Sequence, residues 1–552
     1  MTENNHPPLN PLPSRAGKVK KDKNNKFKIN GARIIKTTAA ALVFVPLSIF
    51  LFYFTINAPV NYNEHDYITQ AVLWRHFSMY QDFCYVHMPW LPIIYGIFYQ
   101  LTGTTHYLLA GRCFTFFFTL VSALVVFLAS FRFSKSFYLS LLLAVLLCLN
   151  NFVMFIMMES SNYMMPFAFA LIAYYFFIIG VSESRQQIWL IALSGFFFSA
   201  AAGARSLYAP LGAAFVITGI LYPRSLGIAG RIKKVELPLA AGMLAGQVPT
   251  IYYLSVAFNN FIFNNFIYHR LITEHHRMLG NYPRMSFPQK LSYWLEMFVN
   301  YPEISLMTAG ALALLIILII GNKYYKPEKF KNLPMEPMFT LLSIAILWGL
   351  VFFPTPMWRQ YYAMPVPFTL ILIAYCQARM KRPGKYLSAM FFIAVLVLTI
   401  FLQAPGFKSA RDLFADFDGL TSIRVHDIAI EIRKSIKDWS EDDKIATLFP
   451  VFVLESDLTI YNELATGPFI YEIGDMIPAK YQSELVYASP NKISDILDRE
   501  PPRAMLVSDT GFDALMLKYA QNRNYQRLDV NFHEFPRHGK FSLYVRPNPE
   551  GK

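Results

Sequence analysis

The chain has 552 residues, of which 55% are hydrophobic, 16% aromatic and 16% charged, whereas a typical globular protein carries about 25% charged residues. Its formal charge of +14 is unevenly spread: residues 1–404 hold 32 basic and 13 acidic side chains, and residues 405–552 hold 18 and 23. This composition excludes a disordered chain and a single soluble domain, and it predicts a polytopic membrane protein with a soluble C-terminal part.

Apolar runs long enough to cross a hydrocarbon core of about 30 Å recur along the first 404 residues. They cover residues 37–57, 107–131, 136–156, 163–181, 187–203, 206–222, 235–257, 303–321, 337–353, 361–378 and 386–404. We therefore predict a polytopic α-helical membrane protein of about eleven spans. A basic segment (1–36) precedes the transmembrane domain (37–404), and a soluble α/β domain (405–552, the tail) follows it.

Basic residues in alternate short loops set the direction of the spans, because Lys and Arg accumulate on the cytoplasmic side. The basic clusters are the N-terminal segment from Arg15 to Lys36, Arg132 with Lys135, Arg185, Arg224 to Lys234, Lys323 to Lys331, and Arg379 to Lys385. All of them share one side if the N-terminus is cytoplasmic. The long loops 58–106 and 258–302, the short loops 157–162 and 354–360, and the tail are then predicted to lie outside. The basic excess indicates membrane lipids rather than nucleic acid as a partner.

One apolar piece, Leu91 to Leu101, is too short to be a span. Counting it as one would invert every later loop and destroy the charge bias. It is predicted to form an interfacial or re-entrant helix within the first outer loop.

The same loop collects acidic residues in Asn63-Glu64-His65-Asp66-Tyr67 and at Asp82. Two acids at a helix start can place one carboxylate over the membrane surface as a general base. A solvated loop with a helix cap explains the same residues. Metal binding by His65, Asp66 and His87 is a further alternative, although their spacing matches no recognised ligand pattern.

Three arginines, Arg112, Arg205 and Arg359, stand at or inside the predicted outer ends of apolar runs. A guanidinium at this depth is costly, so it either snorkels to the headgroups or clamps an anionic headgroup with its planar fork. Arg359 opens a segment with Tyr361 and Tyr362, and aromatic residues at this level are typical of an interface belt.

The second outer loop is dense in polar groups, in Tyr268-His269-Arg270 and Glu274-His275-His276-Arg277. Its histidine pair is typical of an exposed helix face, and catalysis by these histidines is the weaker alternative.

The tail alternates helical and β-branched patterns. A helix is predicted over 423–439 and strands over 444–454, 504–508 and 541–545, which together indicate a small α/β domain. It contains no glycine-rich phosphate loop and no nucleophile elbow. A module that stabilises the body or docks an acceptor is therefore the preferred interpretation.

Taken together, these features resemble the C-type (GT-C) membrane glycosyltransferases, in the family 39-like branch of lipid A aminoarabinose transferases and protein O-mannosyltransferases. The resemblance rests on the 63–67 segment with Ala71, on Tyr80-Gln81-Asp82-Phe83, His87-Met88-Pro89, Arg112 and Arg205, and on the stretch from Arg359 to Pro365. The chain departs from the family at Asn63, where relatives usually carry the catalytic Asp, and at His87, near a position often held by Lys.

The resemblance implies inverting transfer of a sugar from a polyprenyl-phosphate donor to a glycan, glycolipid or protein acceptor, at the outer face of the cell inner (plasma) membrane. Glu64 or Asp66 is then the candidate base, and Asp82 orients the acceptor or a metal. The candidate ligands of the donor phosphate are His87, Arg112, Arg205 and Arg359, and the candidate substrate-loop residues are Tyr268, His269, Arg270, Tyr361 and Tyr362. No organic cofactor is implied, and a divalent metal stays an alternative.

A non-enzyme is the rival class: a membrane scaffold or a transporter of lipid-linked sugars. A transporter needs polar residues along a path between spans, and few are present apart from Asn150, Asn151 and Gln247. A scaffold is consistent with Asn63 at the position of the family's catalytic Asp.

Overall fold

The computed structural model describes residues 23–182, 186–280, 284–325, 334–410, 416–509, 511–528, 535 and 537–547, with side chains described from residue 34 onward and not over 321–325. Residues 1–22 of the basic segment, together with Arg185, Lys326, Lys329 and Lys331 of the predicted loops, lie outside these ranges. The chain divides into two compact units, residues 1–47 and 48–552.

Helices dominate the described chain up to residue 410. In chain order they are α1 Lys23–Ile56, α2 Tyr62–Leu73, α3 Trp90–Thr102, α4 Tyr107–Ser134, α5 Phe137–Leu149, α6 Asn151–Met157, α7 Met164–Gly180, α8 Ile188–Ala204, α9 Gly212–Leu221 and α10 Ile228–Arg231. They continue with α11 Leu237–Gly246, α12 Val248–Val256, α13 Phe258–Ile262, α14 Tyr268–Met278, α15 Phe287–Asn300, α16 Pro302–Tyr325, α17 Met335–Val351, α18 Val366–Ala378, α19 Arg382–Leu402 and α20 Ala404–Ala410.

Each of the eleven predicted apolar runs is helical. Among the described residues, five helices are long and apolar enough to span a membrane: Ile34–Ile56, Tyr107–Ser134, Pro302–Ile320, Arg359–Ala378 and Arg382–Leu402. Two more runs are bent pairs, with angles of 57° between α5 and α6 and 51° between α10–α11 and α12. The remaining four are shorter apolar helices. The helical membrane-protein class is confirmed, while the number and direction of the spans stay predictions.

The bend between α5 and α6 has an identifiable cause in Asn150. This residue is extended (φ −64°, ψ 126°), and its side-chain oxygen accepts hydrogen bonds from the backbone N–H groups of Phe152 (3.0 Å) and Val153 (3.3 Å). It therefore acts as an N-cap and starts a new helix in a new direction. Asn150, which the sequence suggests as a polar residue between spans, has a structural role here.

The short apolar piece at 91–101 is a separate helix, α3, and it packs closely on α2. Gly96 makes this approach possible, since a Cβ there would stand 2.6 Å from Cε3 of Trp74 and 2.8 Å from the carbonyl oxygen of Ala71. The helix ends at Gly103, whose φ of 62° lies in the left-handed region that glycine adopts without strain. The predicted short helix is therefore confirmed, and it supports α2 from one side.

The tail carries the predicted sheet with one addition. Its helices are α21 Thr421–Ser435, α22 Val451–Leu454, α23 Pro468–Ile473, α24 Ala479–Gln482, α25 Ile493–Arg499 and α26 Ala514–Asn522, and its strands are β1 Ile445–Ala446, β2 Ala504–Ser508, β3 Gln526–Leu528 and β4 Phe541–Val545. The strand order is β1-β2-β4-β3, with β1 parallel to β2 and β4 antiparallel to both β2 and β3. The strand predicted over 444–454 is wrong beyond residue 446, because Pro450 precedes the short helix α22.

The tail also contacts α2. Gln70 donates to the carbonyl oxygen of Ala465 (3.1 Å), and the hydroxyl of Tyr62 donates to the carbonyl oxygen of Arg537 (2.6 Å). The buried rings of His65 and His538 meet through their Nε2 atoms at 3.0 Å. Helix α2 is thus fixed between α3 and the tail before any substrate is considered.

Because the histidine pair is buried, we expect the free energy of unfolding to fall in acid. Burial lowers the pKa of His65 well below 6.5, and His538 lowers it further; burial together with the Arg537 cation lowers the pKa of His538 to about 4. Unfolding therefore takes up protons once the pH drops below 6.5, and each histidine destabilises the fold by up to about 1.4 kcal/mol per pH unit down to its folded-state pKa. Thermal melts between pH 8 and 4.5 will show this loss, which His65→Phe with His538→Phe should flatten. An equally steep fall in that double variant would contradict the assignment.

Candidate functional site

The predicted acidic loop is the first turn of helix α2. Asn61 is extended and caps the helix: its side chain accepts from the N–H of Asn63, and the Glu64 carboxylate accepts from the N–H of Asn61 (2.9 Å). This reciprocal capping box fixes where the helix begins. Asn63 and Tyr67 lie one turn apart on the same face of the helix, whereas Glu64 and Asp66 point in other directions and have different neighbours.

Glu64 and Arg112 form a fully buried ion pair. The Arg112 guanidinium donates to both carboxylate oxygens of Glu64, at 2.8 Å from Nε and 2.7 Å from Nη2, and both side chains have 0% exposure. Glu64 also accepts from the N–H of Ser160 (2.8 Å), while Nη1 of Arg112 donates to the carbonyl oxygen of Ala58 (2.7 Å). The pair is saturated from within the protein, and its geometry favours a role in fixing α2 against α4 over contact with substrate.

Asp66 and Asp82 also lie away from any open site. Asp66 is buried, accepts from Nε2 of Gln70 (3.2 Å), and has its pKa raised well above 3.8 by burial. With 1% exposure, this carboxyl is closed to an acceptor hydroxyl. Asp82 is exposed and accepts from the N–H of Ser78 (2.7 Å) in a local turn. The geometry thus favours neither acid for a role in the chemistry.

The carboxylate that does lie beside Asn63 is Glu159, in the turn between α6 and α7. The side-chain amide of Asn63 donates to both oxygens of Glu159, at 3.3 and 3.2 Å. Burial, together with the nearby carboxylate of Glu64, raises the pKa of Glu159 to about 7. A carboxylate with a pKa near 7 suits a general base at neutral pH. The sequence reasoning missed it, although an acid in a short loop (157–162) on the predicted outer side was a usable signal.

Three residues after Glu159, the same turn holds Arg205 through Asn162. Oδ1 of Asn162 accepts from Nη1 of Arg205 and from the hydroxyl of Tyr67 (2.9 Å), and that hydroxyl also contacts Nε2 of His87 at 2.8 Å. Since Tyr67 has a single hydroxyl proton and donates it to Asn162, His87 must donate through Nε2–H. The predicted residues Arg205 and His87 therefore belong to one hydrogen-bonded chain.

Aromatic rings surround the Arg205 guanidinium. Its Cζ lies 4.0 Å from the ring centroid of Tyr163 and 5.4 Å from that of Tyr361. With Tyr208 and Gln360 these residues line a cavity of ≈ 10 Å³, and Gln360 donates to the Tyr163 hydroxyl (3.0 Å). Cation–π contacts hold the guanidinium in place without neutralising it. Arg205 thus makes no ion pair within the described ranges and remains cationic.

His87 carries no charge at neutral pH. Burial lowers its pKa well below 6.5, and His269 and the Arg205 cation lower it further. The His87 and His269 rings lie 5.6 Å apart. Of the predicted second-loop residues, His269 therefore lies near the hydrogen-bonded chain that contains His87. Tyr268 is instead buried in the core between α14 and the tail, and Arg270 is exposed.

Arg359 has a different set of neighbours from Arg205. Its guanidinium lies over the rings of Phe155 (4.7 Å) and Tyr301 (4.5 Å), and Nη2 donates to the carbonyl oxygen of Asn151 (3.3 Å). Tyr362, the residue after Tyr361, is buried against Phe152. Arg359 and Tyr361 are thus brought to the same 3-10 turn (Arg359–Ala363), but only Tyr361 contacts Arg205.

The proposed metal ligands are not assembled. His65 faces His538, His87 faces Tyr67, and among the described residues no group of three or more His, Cys, Asp or Glu side chains is placed to hold a metal ion. The geometry therefore gives the metal alternative no support in this part of the chain.

No protein-family model matches the chain, and no curated protein matches it in sequence. Among solved structures it is similar to ArnT from Cupriavidus metallidurans bound to undecaprenyl phosphate, with a TM-score of 0.56 and 12% identity over 93% of this chain and 98% of that one. The apo state of the same ArnT gives a TM-score of 0.56 and 13% identity over 94% and 98%. The apo Archaeoglobus fulgidus oligosaccharyltransferase gives 0.47 and 10% over 94% and 74%. The match with ArnT confirms the predicted GT-C fold.

Proposed function

We propose that this protein transfers a sugar from a polyprenyl-phosphate donor to an acceptor hydroxyl, with inversion, at the outer face of the bacterial inner membrane. The single observation that carries the proposal is the 158–163 turn, which joins a poised carboxylate, Glu159, to an unneutralised cation, Arg205, through Asn162. The fold shared with ArnT, whose structure was obtained with undecaprenyl phosphate bound, supports this choice of donor.

Glu159 is the general base in this proposal, in place of Glu64 and Asp66. Its carboxylate takes the proton of the acceptor hydroxyl as the oxygen attacks the anomeric carbon. Asn63 holds the carboxylate through both oxygens and so acts as a positioning residue where relatives carry an acid. The new glycosidic bond forms opposite the departing phosphate, which inverts the anomeric centre.

Arg205 stabilises the leaving phosphate. As the bond to the anomeric carbon breaks, negative charge grows on the phosphate oxygens, and a fixed guanidinium in an aromatic, water-poor setting stabilises it without reorganisation. The neutral His87 remains a hydrogen-bonding group near Arg205 rather than a second charge. Arg359 is assigned to the lipid-proximal part of the phosphate path, and Tyr361 and His269 to the substrate walls.

The test is sugar transfer by the purified full chain in detergent, with radiolabelled polyprenyl-phosphate sugars as donors. Arg205→Gln removes a charge-assisted contact, so we expect kcat/KM for the donor to fall about 10- to 100-fold. Arg277→Gln is the matched control, because Arg277 is exposed and paired with Glu274 on α14. Binding of donor without turnover in the wild type would instead favour the non-catalytic scaffold, and unchanged kinetics in Arg205→Gln would remove Arg205 from the site.

A further inference from the structure

A second cavity lies at the opposite end of α2 from Asn63. Its volume is ≈ 220 Å³, and its walls come from the end of α2, the start of α4 and tail residues 454–462. Pockets for drug-sized ligands measure about 300–1,000 Å³, so this one suits a smaller molecule of about one sugar ring. It is separate from the Arg205 cavity, with which it shares no lining residue.

Arg75 supplies a cation to this cavity. One of its N–H groups donates to the Tyr107 hydroxyl (3.3 Å), and in the described part of the chain its guanidinium makes no ion pair. Asp457 lines the same cavity, yet the two charges do not come within 4.0 Å of each other. Most of the Arg75 fork is therefore available to an anionic group such as a carboxylate or phosphate, which it matches in shape.

The remaining walls provide what a sugar ring requires. Asp457 and Asn462 present carboxylate and amide groups that can accept from and donate to hydroxyls. Phe77, 39% exposed, presents an aromatic surface, and Leu73 and Leu458 add apolar walls. A flat molecule with one apolar face, several hydroxyls and one acidic substituent satisfies all of these groups together.

We infer that this cavity binds an acidic sugar residue of the acceptor. The inference rests on the proposed function for its role, though not for the binding itself. Helix α2 connects the two places, and ten to twelve residues at 1.5 Å each put the cavity about 15–18 Å from Asn63. An acceptor saccharide of a few residues spans that distance, so its acidic sugar is held at Arg75 while its reactive hydroxyl lies at Glu159.

Saturation-transfer NMR on the full chain in a sugar-free detergent tests the binding, with glucuronate, glucose 6-phosphate and glucose as probes. We expect signals from the two acidic sugars and much weaker ones from glucose. Arg75→Ala should reduce the affinity at least ten-fold, and Arg75→Lys, which keeps the charge without the fork, should reduce it less. Arg523→Ala, an exposed tail arginine paired with Asp498, should change nothing.

Glu159→Gln separates this inference from the proposed function, since it should slow transfer by about 10²–10⁴-fold and leave sugar binding intact. Binding of the acidic sugars without transfer in the wild type would contradict the proposed function and still support the cavity as a sugar site. Transfer without probe binding, equal signals from glucose and glucuronate, or full binding in a folded Arg75→Ala variant would overturn the inference.

Discussion

Glu159→Gln should reduce kcat for sugar transfer by about 10²–10⁴-fold, the usual contribution of a positioned general base. The substitution keeps the shape of the side chain and its acceptance of the Asn63 amide hydrogen bond, but it removes the ability to take a proton. Donor binding at Arg205 should persist, so KM for the donor should change little. Measured initial rates with saturating donor decide the matter. Asp66→Asn is the matched control, because Asp66 is a buried carboxyl that the proposal leaves out of the chemistry.

The pH dependence gives an independent check on the same carboxylate. With a pKa of about 7, Glu159 must lose its proton before it can act, so kcat/KM should rise with pH and level off above about 7. Asn63→Asp would set a second carboxylate against Glu159. Because like charges disfavour a second ionisation, we expect the rise to move to higher pH. A profile that is flat between pH 5 and 8, or one that Asn63→Asp leaves unmoved, would contradict Glu159 as the base.

The fold was accessible from the sequence because it depends on patterns that are local. A window of about twenty residues is enough to recognise the apolar runs, the short helix at 91–101 and the strands at 504–508 and 541–545. The bent pairs were not accessible, since the break at Asn150 depends on a cap that the run's hydropathy conceals. Strand β3 was not predicted, because its three residues are mostly exposed and lack the pattern of a buried strand.

The site residues show the same difference between local patterns and long-range packing. Arg205 and His87 were predicted as site residues from their positions, and hydrogen bonds join them through Tyr67 and Asn162. The carboxylate could not be assigned from spacing alone. Glu64 lies closer in sequence than Glu159 to the position of the family's acid, but it forms a buried ion pair with Arg112, 48 residues away. Glu159 lies 96 residues from Asn63 and meets it only through the packing of α2 on the 158–163 turn.

The pairing of Glu64 with Arg112 leads to the largest expected effect on stability. Glu64→Gln would leave the Arg112 charge buried without compensation, at a cost of about 3–5 kcal/mol in the free energy of unfolding. Replacing both residues, by Glu64→Gln with Arg112→Met, removes the buried charge altogether and should recover much of that loss. Thermal melts in detergent, read through intrinsic fluorescence, compare the three forms.

Glu274→Gln is the control for that series, because it breaks the exposed Glu274–Arg277 pair, and exposed pairs contribute about 0–1 kcal/mol. The single Glu64→Gln variant should also lose transfer in proportion to its folded fraction, since Glu64 accepts from the N–H of Ser160 and so anchors the turn that carries Glu159. Transfer lost in a Glu64→Gln protein that melts like the wild type would instead place Glu64 in the chemistry. That result would return the base to the residue that the sequence first suggested, and Glu159→Gln would then retain activity.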